Sequence, residues 1–361
     1  MTNIKPLVSL IISFMVFGAQ SQELKIYNGF EKTVELTNEQ KVEGYQQFCP
    51  SDIFVVDSLL VIREIICSDY FFYVYSKKEF KYIGAFGKKG KGPGEFGLLN
   101  FNSQYEKDKN GRIKLWVYDS QRLKAYKIDL KKAINDNGSE DFIEKKIPLP
   151  AQGYPTNKLV VLEDNHMLIG NNDMSEFSRY YTYDYVNDIF KWSEQIPKVP
   201  KGTPYDNIGA VYFGRYQYSL KHNVIVSALG YFPRLDFINE NGIIYYTVIM
   251  DYDNPAPTFR DINHPDTPDN YYYTDCLKIT DNYIVINNYN VKYKFIKQHN
   301  VNSISFQFFD WNGTPKYNFI LKKKNIDTGG FSFDEEDKIL YFIDNNNEDY
   351  PIKYYDLKKF F

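Results

Sequence analysis

Three arginines recur at nearly constant spacing along the sequence and could do chemistry as a group. Arg122, Arg179 and Arg234 are 57 and 55 residues apart, and each precedes a short stretch rich in apolar and aromatic residues. A planar guanidinium can donate two parallel hydrogen bonds to a carboxylate or a sulfate. The series could therefore bind an acidic ligand such as a sugar acid, or it could pair with aspartates and tie neighbouring repeats together. We expect the second role.

Asparagines and aspartates form a second group, at corresponding positions after several β-rich stretches. The side chains that could contact a ligand are Asp119, Asn171, Asp173, Asn288 and Asp344. Carboxylate and amide oxygens are ligands for Ca²⁺, but the chain contains no complete DxDxDG calcium loop. Asn and Asp also form turns by bonding to their own backbone, which is their commoner role.

A glycine-rich segment, GAFGKKGKGPGEF from Gly84 to Phe96, contains Lys88, Lys89 and Lys91. A phosphate-binding P-loop ends in Gly-Lys-Ser/Thr and leads into a helix whose N-terminus faces the anion. This segment instead passes through a proline into another β-rich stretch. We therefore interpret it as a crossover loop, in which Lys88 and Lys91 are candidates for a cationic lip.

The common catalytic signatures are absent from the sequence. There is no Gly-x-Ser-x-Gly elbow and no His-Glu-x-x-His zinc helix. The histidines His166, His222, His264 and His299 fall in turns and long loops, where they are poorly placed to form a three-histidine metal site. The sequence alone does not decide whether the protein is an enzyme, although these absences favour a non-catalytic role.

The elements that must position these residues repeat along the chain. Two β-rich stretches joined by a polar turn recur, with turns near Asp57, Asn110, Asp164, His222, Asp281 and Glu336. A third strand follows in every unit and a fourth in five of the six, which is the composition of a propeller blade. The 18% aromatic content suits half-buried pleated sheets. The sequence predicts an all-β, six-bladed β-propeller of four-stranded antiparallel blades.

The sixth unit reaches Phe361 after its third strand, and one stretch, KTVELTN from Lys32 to Asn38, belongs to no unit. We expect this N-terminal strand to close the last blade, because a closed ring hides edge strands that would otherwise aggregate.

Residues 1–21 have the features of a secretory signal peptide. Lys5 precedes an apolar run from Leu7 to Gly18, and small residues precede the predicted cleavage site before Gln22. A run this short cannot cross a membrane that needs about 20 apolar residues. The expected mature chain, residues 22–361, is a single propeller domain without a transmembrane segment, located in the periplasm, at the cell surface or outside the cell.

Charge and cysteine content restrict the partners and the covalent structure. The 43 basic and 46 acidic residues give a net charge of −3 and form no long blocks, so no nucleic-acid partner is expected. Cys49, Cys67 and Cys276 are odd in number and widely spaced. We expect free thiols, although an oxidising compartment allows one disulfide.

Two insertions interrupt the repeats on what should be the face at the channel mouth. The first, DYDNPAPTFRDINHPDTPDNYYYTD, contains Arg260 and Tyr272, residue types that dominate many interfaces. The second, NNYNVKYKFIKQHNVNSIS, contains aromatic residues that could stack on sugar rings. Long loops of this kind are often binding elements, although both could simply pack over the channel.

The segment IGAFGKKGKGPGEF, the asparagine-containing turn repeats and the signal peptide together resemble the secreted bacterial six-bladed propellers called TolB-like, which are related to NHL-repeat propellers. The resemblance extends from Leu24 to Phe361. It implies the fold and an extracytoplasmic location, and it implies little chemistry, because a fold does not fix a function.

Two functional hypotheses follow from the sequence. The first is a non-catalytic binding or scaffolding propeller that recognises a protein, peptide or glycan through its mouth loops and needs no cofactor. The alternative is a propeller lactonase or lyase that acts on a small sugar-derived substrate with Ca²⁺ or another divalent ion held in the central channel.

Overall fold

The computed structural model describes residues 23–45, 49–134, 139–150, 159–162, 165–170, 179–192, 212–255, 257 and 268–361. The predicted signal peptide lies outside these ranges. Within them, no helix has the length and apolar character needed to cross a membrane.

The described residues form a ring of six β-sheet blades, which confirms the predicted all-β propeller. The first three blades are antiparallel sheets of four strands each. Blade 1 consists of β4 (Pro50–Val56), β5 (Leu59–Glu64), β6 (Tyr70–Ser76) and β7 (Tyr82–Lys88). Blade 2 consists of β8 (Leu99–Lys107), β9 (Ile113–Asp119), β10 (Lys124–Asp129) and β11 (Ile143–Pro148), with the short helix α1 (Leu130–Ile134) after β10. Blade 3 consists of β12 (Leu159–Val161), β13 (His166–Gly170), β14 (Tyr180–Asp184) and β15 (Ile189–Trp192).

The second half of the ring repeats this arrangement with additions. Blade 4 consists of β16 (Gly214–Ser219), β17 (Val224–Leu229), β18 (Arg234–Ile238) and β19 (Ile244–Met250). Blade 5 consists of β21 (Leu277–Ile279), β22 (Ile284–Asn288), β24 (Ser303–Phe309) and β25 (Pro315–Lys322). A small ladder of β20 (Tyr271–Tyr272) with β23 (Val291–Lys292) and the helix α2 (Tyr293–Lys297) lie beside it. Blade 6 contains β26 (Thr328–Asp334), β27 (Ile339–Asp344) and β28 (Ile352–Asp356), followed by a 3₁₀ turn (Lys358–Phe360).

The N-terminal segment joins three blades in succession. β1 (Glu23–Tyr27) runs parallel to β19 in blade 4, and β2 (Lys32–Glu35) runs parallel to β25 in blade 5. β3 (Gln40–Lys41) then pairs antiparallel with β28 and gives blade 6 its fourth strand. The N-terminal segment therefore does close the last blade, and blades 4 and 5 become five-stranded.

The prediction that Lys32–Asn38 is the closing strand is wrong by one blade. Its first part adds to blade 5, where Val34 and Leu36 pack against the apolar cluster between blades 5 and 6. Val42, just after β3, packs instead in the cluster between blades 6 and 1. Because the outermost strand of every blade offers free backbone groups, a short alternating strand fits more than one edge.

Each pair of neighbouring blades is joined by an apolar cluster of buried side chains. Aromatic rings are prominent in these clusters. Between blades 5 and 6, the ring centroids of Phe308 and Phe333 are 4.8 Å apart, and between blades 3 and 4 those of Tyr180 and Tyr216 are 6.1 Å apart. Large rings fill the wedge between two twisted sheets and bury much apolar surface, which accounts for the aromatic-rich composition.

Side-chain amides link the innermost strands of neighbouring blades. Gln104 on β8 donates to the carbonyl oxygen of Val161 on β12 and accepts from its N–H. Gln217 on β16 acts in the same way, donating to the carbonyl of Leu277 and accepting from the N–H of Ile279. These buried amides complete backbone groups that face the ring axis and would otherwise lack partners.

A disulfide ties the closing segment to blade 1. Cys49, just before β4, is bonded to Cys67 in the loop between β5 and β6, with Cα atoms 5.7 Å apart. The expectation of three free thiols is therefore wrong for this pair, because the antiparallel pairing of β4 with β5 places the residue before β4 next to the loop after β5. Cys276 is free and partly buried.

Replacing both bridged residues, Cys49→Ser with Cys67→Ser, should lower the free energy of unfolding by about 3 kcal/mol, because the bridge closes a loop between residues 18 apart in sequence. Parallel urea titrations of the wild type and the double variant measure this loss. In the unfolded, unreduced wild type, alkylation and mass spectrometry should find a single reactive thiol, Cys276. Three reactive thiols would contradict the assigned bridge.

Candidate functional site

The loops between second and third strands and the connections between blades meet at one end of the ring, which we call the mouth face. The link between blades 1 and 2 shows this directly, since Lys89 Nζ donates to the carbonyl oxygens of Ser68, at 2.6 Å, and Ile65, at 2.8 Å. Both acceptors belong to the loop between β5 and β6. The residues predicted from the sequence to form a site on this face are therefore described together, at this end of the ring.

Two of the three predicted arginines converge on a single buried aspartate. Arg179 of blade 3 donates through Nη1 to Asp236 of blade 4 at 2.6 Å, and both side chains are fully buried. Arg234 donates through Nε to the other carboxylate oxygen at 2.5 Å, and the Thr247 hydroxyl donates to that same oxygen at 2.7 Å. Arg179 also reaches the hydroxyl of Ser227. This network links blades 3 and 4, as expected for a staple between repeats.

Arg122 forms a separate pair within blade 2. Its Nε lies 3.6 Å from Asp119, and its Nη2 donates to the Gly90 carbonyl at 2.8 Å. The buried carboxylate of Asp119 also accepts from the backbone N–H groups of Gly97 and Leu98 in the link from blade 1. All three arginines thus have structural partners, and their predicted role in ligand binding stays a prediction.

Burial opposes ionisation of Asp236, but the guanidiniums of Arg179 and Arg234 outweigh it and lower the pKa of its carboxyl. The stabilisation from this charge is therefore complete above the unfolded pKa of about 3.9, and it is lost as the pH falls through the lower folded pKa. The network should be intact throughout the neutral range.

Asp236→Asn should destabilise the protein by about 3–5 kcal/mol at neutral pH, because it leaves buried guanidiniums without their counter-ion. The difference in the free energy of unfolding between wild type and variant, measured by urea unfolding, should be constant above about pH 5 and become smaller below about pH 4. Asp253→Asn is the matched control at an exposed aspartate and should change stability by less than about 0.5 kcal/mol. Equal stability of wild type and Asp236→Asn at pH 7 would contradict the assigned network.

The glycine-rich segment joins β7 to β8 as a crossover, and its own side chains occupy its polar groups. Glu95 accepts from the N–H of Gly92 at 2.8 Å and pairs with Lys88 at 2.9 Å. A Cβ at Gly90, where φ is +152°, would collide with the same carboxylate. Lys91 is exposed. The backbone positions at which a P-loop would hold phosphate are thus held by a carboxylate of the same chain.

The other predicted residues are spread over the mouth face. Asp344 is buried and pairs with Lys323 of the link from blade 5. Tyr272 is 9% exposed and packs in an aromatic cluster with Tyr231 and Tyr289. The predicted residues Asn171, Asp173 and Arg260 lie outside the described residues.

Asn288 lines a cleft of about 570 Å³ between the end of blade 4 and the sheet of blade 5, beneath α2. Six amide side chains line it: Asn288, Asn290, Asn300, Asn302, Gln307 and Asn318. Aromatic residues border it, namely Tyr252, Tyr289 and Phe295. No charged side chain is found in this lining within the described part of the chain. The second insertion contributes much of this wall, so the sequence analysis identified that segment. It did not identify Gln307 and Asn318, which lie on strands and complete the wall.

Hydrogen bonds within the cleft fix some of these groups and leave one acceptor open. Tyr252 and Gln307 bond to each other, with Gln307 Nε2 donating to the tyrosine oxygen at 2.8 Å. Asn254 donates to Asn290 Oδ1 at 2.6 Å. Asn318 Oδ1 is buried and has no partner among the described residues. The cleft therefore has a preorganised wall and one acceptor that a donor from a ligand could satisfy.

A second cavity, of about 260 Å³, lies on the ring axis, in the central channel that the sequence predicted, but its charged lining residues were not predicted. Charged side chains enter it from several blades, among them Asp52, Arg63, Arg215, Asp275 and Lys278. The sequence signal that could have revealed such a lining is the presence of polar residues at alternating positions in the first strand of each unit, because these strands line the channel. Across the residues with described positions, no group of three or more His, Cys, Asp or Glu side chains is arranged to hold a metal ion.

Several solved structures similar to this chain come from Bacteroides species. A member of the DUF4221 family from Bacteroides vulgatus matches with a TM-score of 0.55 and 10% identity, covering 88% of this chain and 94% of that one. A Bacteroides fragilis protein proposed to be exported matches with a TM-score of 0.50 and 14% identity, covering 88% of each chain. An auxiliary nutrient binding protein from Bacteroides thetaiotaomicron has a TM-score of 0.46 and 8% identity, covering 85% of this chain and 68% of that one. At these identities the likeness to the first two structures shows the fold alone.

The sequence comparisons agree with the fold. No curated protein shows a significant match to the chain. The model of the TolB-like 6-blade propeller-like family matches residues 29–336, which is most of the chain. The chain therefore belongs to the TolB-like family of six-bladed propellers.

Proposed function

We propose that the protein is a non-catalytic binding propeller that recognises a neutral glycan in the cleft between blades 4 and 5. The observation that carries the proposal is the chemistry of the cleft wall, which combines amide side chains with aromatic rings and has no charged group among its described residues. Its volume of about 570 Å³ lies within the range of small-molecule sites.

Amide side chains suit sugar hydroxyls because each amide both donates and accepts hydrogen bonds, as each hydroxyl does. The unpartnered Oδ1 of Asn318 can accept from one such hydroxyl. A buried acceptor without a donor costs free energy, so a ligand that supplies the donor gains affinity at this position. A charged peptide or sugar acid would find no counter-ion among the described residues of this wall.

The aromatic border supplies the apolar contact that a pyranose ring needs. Phe295 on α2 lies at the rim of the cleft and keeps 36% of its surface exposed. Tyr252 stacks on Tyr273, with ring centroids 5.9 Å apart, and its hydroxyl is held by Gln307. A sugar ring lying on Phe295 would bury apolar surface of both partners and leave the amides free to bind its hydroxyls.

The same proposal includes export from the cytoplasm. The signal-peptide pattern in residues 1–21 supports it, and so does the Cys49–Cys67 bridge, because disulfides persist mainly in oxidising compartments. Residues 22–361 then act as one propeller domain in the periplasm, at the cell surface or outside the cell.

Phe295→Ala should weaken glycan binding roughly tenfold, which corresponds to a loss of about 1.4 kcal/mol of contact energy. The measurement is calorimetric titration of the purified mature chain with neutral trisaccharides, namely maltotriose, cellotriose, xylotriose and mannotriose. Tyr350→Ala is the matched control, since Tyr350 has a similar exposure of 38% and lies on the loop before β28, outside the cleft. The control should bind as the wild type does.

Asn318→Leu distinguishes a binding role from a structural one. It removes an acceptor that has no described partner, so the free energy of unfolding should hardly change while the affinity for the bound trisaccharide falls. Binding should also survive EDTA, and the sugar should be recovered unchanged. Turnover of the sugar, metal-dependent binding, or no binding of any of the four trisaccharides would contradict the proposal.

A further inference from the structure

The channel cavity on the ring axis has a charge composition quite unlike that of the cleft. Its walls include three basic side chains, Arg63, Arg215 and Lys278, and two acidic ones, Asp52 and Asp275. Tyr118 also lines it. Counted from these described groups, the cavity has one more positive charge than negative.

Two of the cations have carboxylate partners. Lys278 Nζ lies 3.1 Å from Asp52 Oδ1 and 3.8 Å from the centroid of the Phe54 ring. Arg215 Nη2 lies 3.2 Å from Asp275 Oδ1, and its Nε donates to the Asp275 carbonyl at 2.6 Å. These two pairs are locally neutral.

Arg63 is the remaining cation, and none of the described carboxylates lies within ion-pairing distance of it. Its Nη2 donates to two neutral acceptors of blade 2, the carbonyl oxygen of Leu99 at 3.2 Å and Asn100 Oδ1 at 2.6 Å. Its Nε is buried without a hydrogen-bond partner among the described residues. Among the described residues, the hydrogen-bonding capacity of this guanidinium, which lines the channel cavity, is therefore not fully used.

The energetic consequence of this arrangement is a buried charge that no described carboxylate pairs with. Burial lowers the pKa of Arg63, and nearby Arg215 acts in the same direction, against the opposing effect of Tyr118 and Asp52. A guanidinium nevertheless keeps its proton in proteins, so the cost of burying it cannot be removed by deprotonation. An anion in the cavity would supply both the missing charge and the missing acceptor.

We propose that the central channel is a second binding site, specific for a small organic monoanion whose carboxylate bonds to the Arg63 guanidinium. The cavity volume of about 260 Å³ corresponds to roughly nine water molecules at ~30 Å³ each, enough for a carboxylate of monosaccharide size. The guanidinium geometry favours a carboxylate, which can accept two parallel hydrogen bonds. This site is independent of the neutral cleft.

The ligand has a path into the channel from the mouth face. The side chains of Arg215 and Asp275 keep 31% and 38% of their surface exposed, and Ile65, which also lines the cavity, is 38% exposed. At blade 6, Gly330 leaves room beside Asp52, since a Cβ there would collide with the aspartate carboxylate. The channel wall is thus open at the mouth and closely packed beside Asp52.

The test uses D-glucuronate and D-glucose, which share a ring and differ in the carboxylate, with acetate as the minimal anion. Calorimetric titration of the mature chain should show one glucuronate per protein, weaker binding at higher NaCl, and no saturation by glucose at this site. Glucuronate should also raise the melting temperature. Arg63→Gln keeps a donor for Asn100 but removes the charge, so it should weaken glucuronate binding at least tenfold and abolish the thermal shift.

Two further variants locate the effect. Arg112→Gln removes an exposed arginine outside the channel and should bind glucuronate normally. Phe295→Ala, which alters the neutral cleft, should also leave glucuronate binding unchanged, so failure of the glycan proposal and failure of this one are distinguishable. If Arg63→Gln does not fold, ¹⁵N-arginine labelling of the wild type replaces it, and glucuronate should shift one buried Nε–H resonance.

The proposal is overturned if neither glucuronate nor acetate binds at millimolar concentration, if glucose binds as tightly as glucuronate, or if Arg63→Gln keeps wild-type affinity. In the labelled protein, a glucuronate titration that leaves every arginine Nε–H resonance in place also overturns the proposal.

Discussion

The structure depends on the closure of its ring by the N-terminal segment. Each blade buries its apolar faces against two neighbours, so blades 6 and 1 must meet for the clusters on either side to be covered. β3 supplies the strand that blade 6 needs, and the Cys49–Cys67 bridge holds the chain where it enters blade 1. Without closure, the outer edge of blade 6 would be exposed to solvent, and so would the face of blade 1 that packs against blade 6.

Closure also decides where polar groups can lie. Apolar side chains fill the wedges between blades, and the innermost strands are left facing one another across the axis. The polar residues on those strands either bond to the next blade, as Gln104 and Gln217 do, or project into the channel, as Lys278 does. The cleft forms instead at the periphery, where the insertion containing α2 extends beyond the blade 5 sheet. The ring therefore presents a neutral and a cationic cavity as separate sites on one molecule.

The repeat architecture could be predicted from the sequence because its signals are local. Strand, polar turn and strand recur within about 55 residues. The arginine series indicated aspartate partners but not which blade would supply them, since Arg179 pairs with Asp236 of the next blade and Arg122 pairs with Asp119 of its own. The position of the closing strand could not be predicted, because Lys32–Glu35 and Gln40–Lys41 both suit the free edge of a blade. The Cys49–Cys67 bridge depends on the register of β4 against β5, which places the residue before β4 beside the loop after β5 and which the cysteine spacing alone does not give.

The candidate sites were predicted less well, for a physical reason. Asn288 and the insertion after it were identified from composition, but Gln307 and Asn318 lie inside ordinary strands whose facing side is decided by the neighbouring blade. Arg63 carries no motif at all. It was singled out because no described residue supplies it with a carboxylate partner or with an acceptor for Nε, and such a feature is visible only in three dimensions.

Native-state hydrogen exchange, followed by mass spectrometry as urea is raised, tests ring closure most directly. The structure predicts that peptides covering β2 and β3 are protected and lose protection together with peptides from their partners β25 and β28 and from β4, because these strands open as one cooperative unit. Free exchange of residues 32–42 while β28 and β4 stay protected would show that the ring is closed in some other way, and would contradict the account.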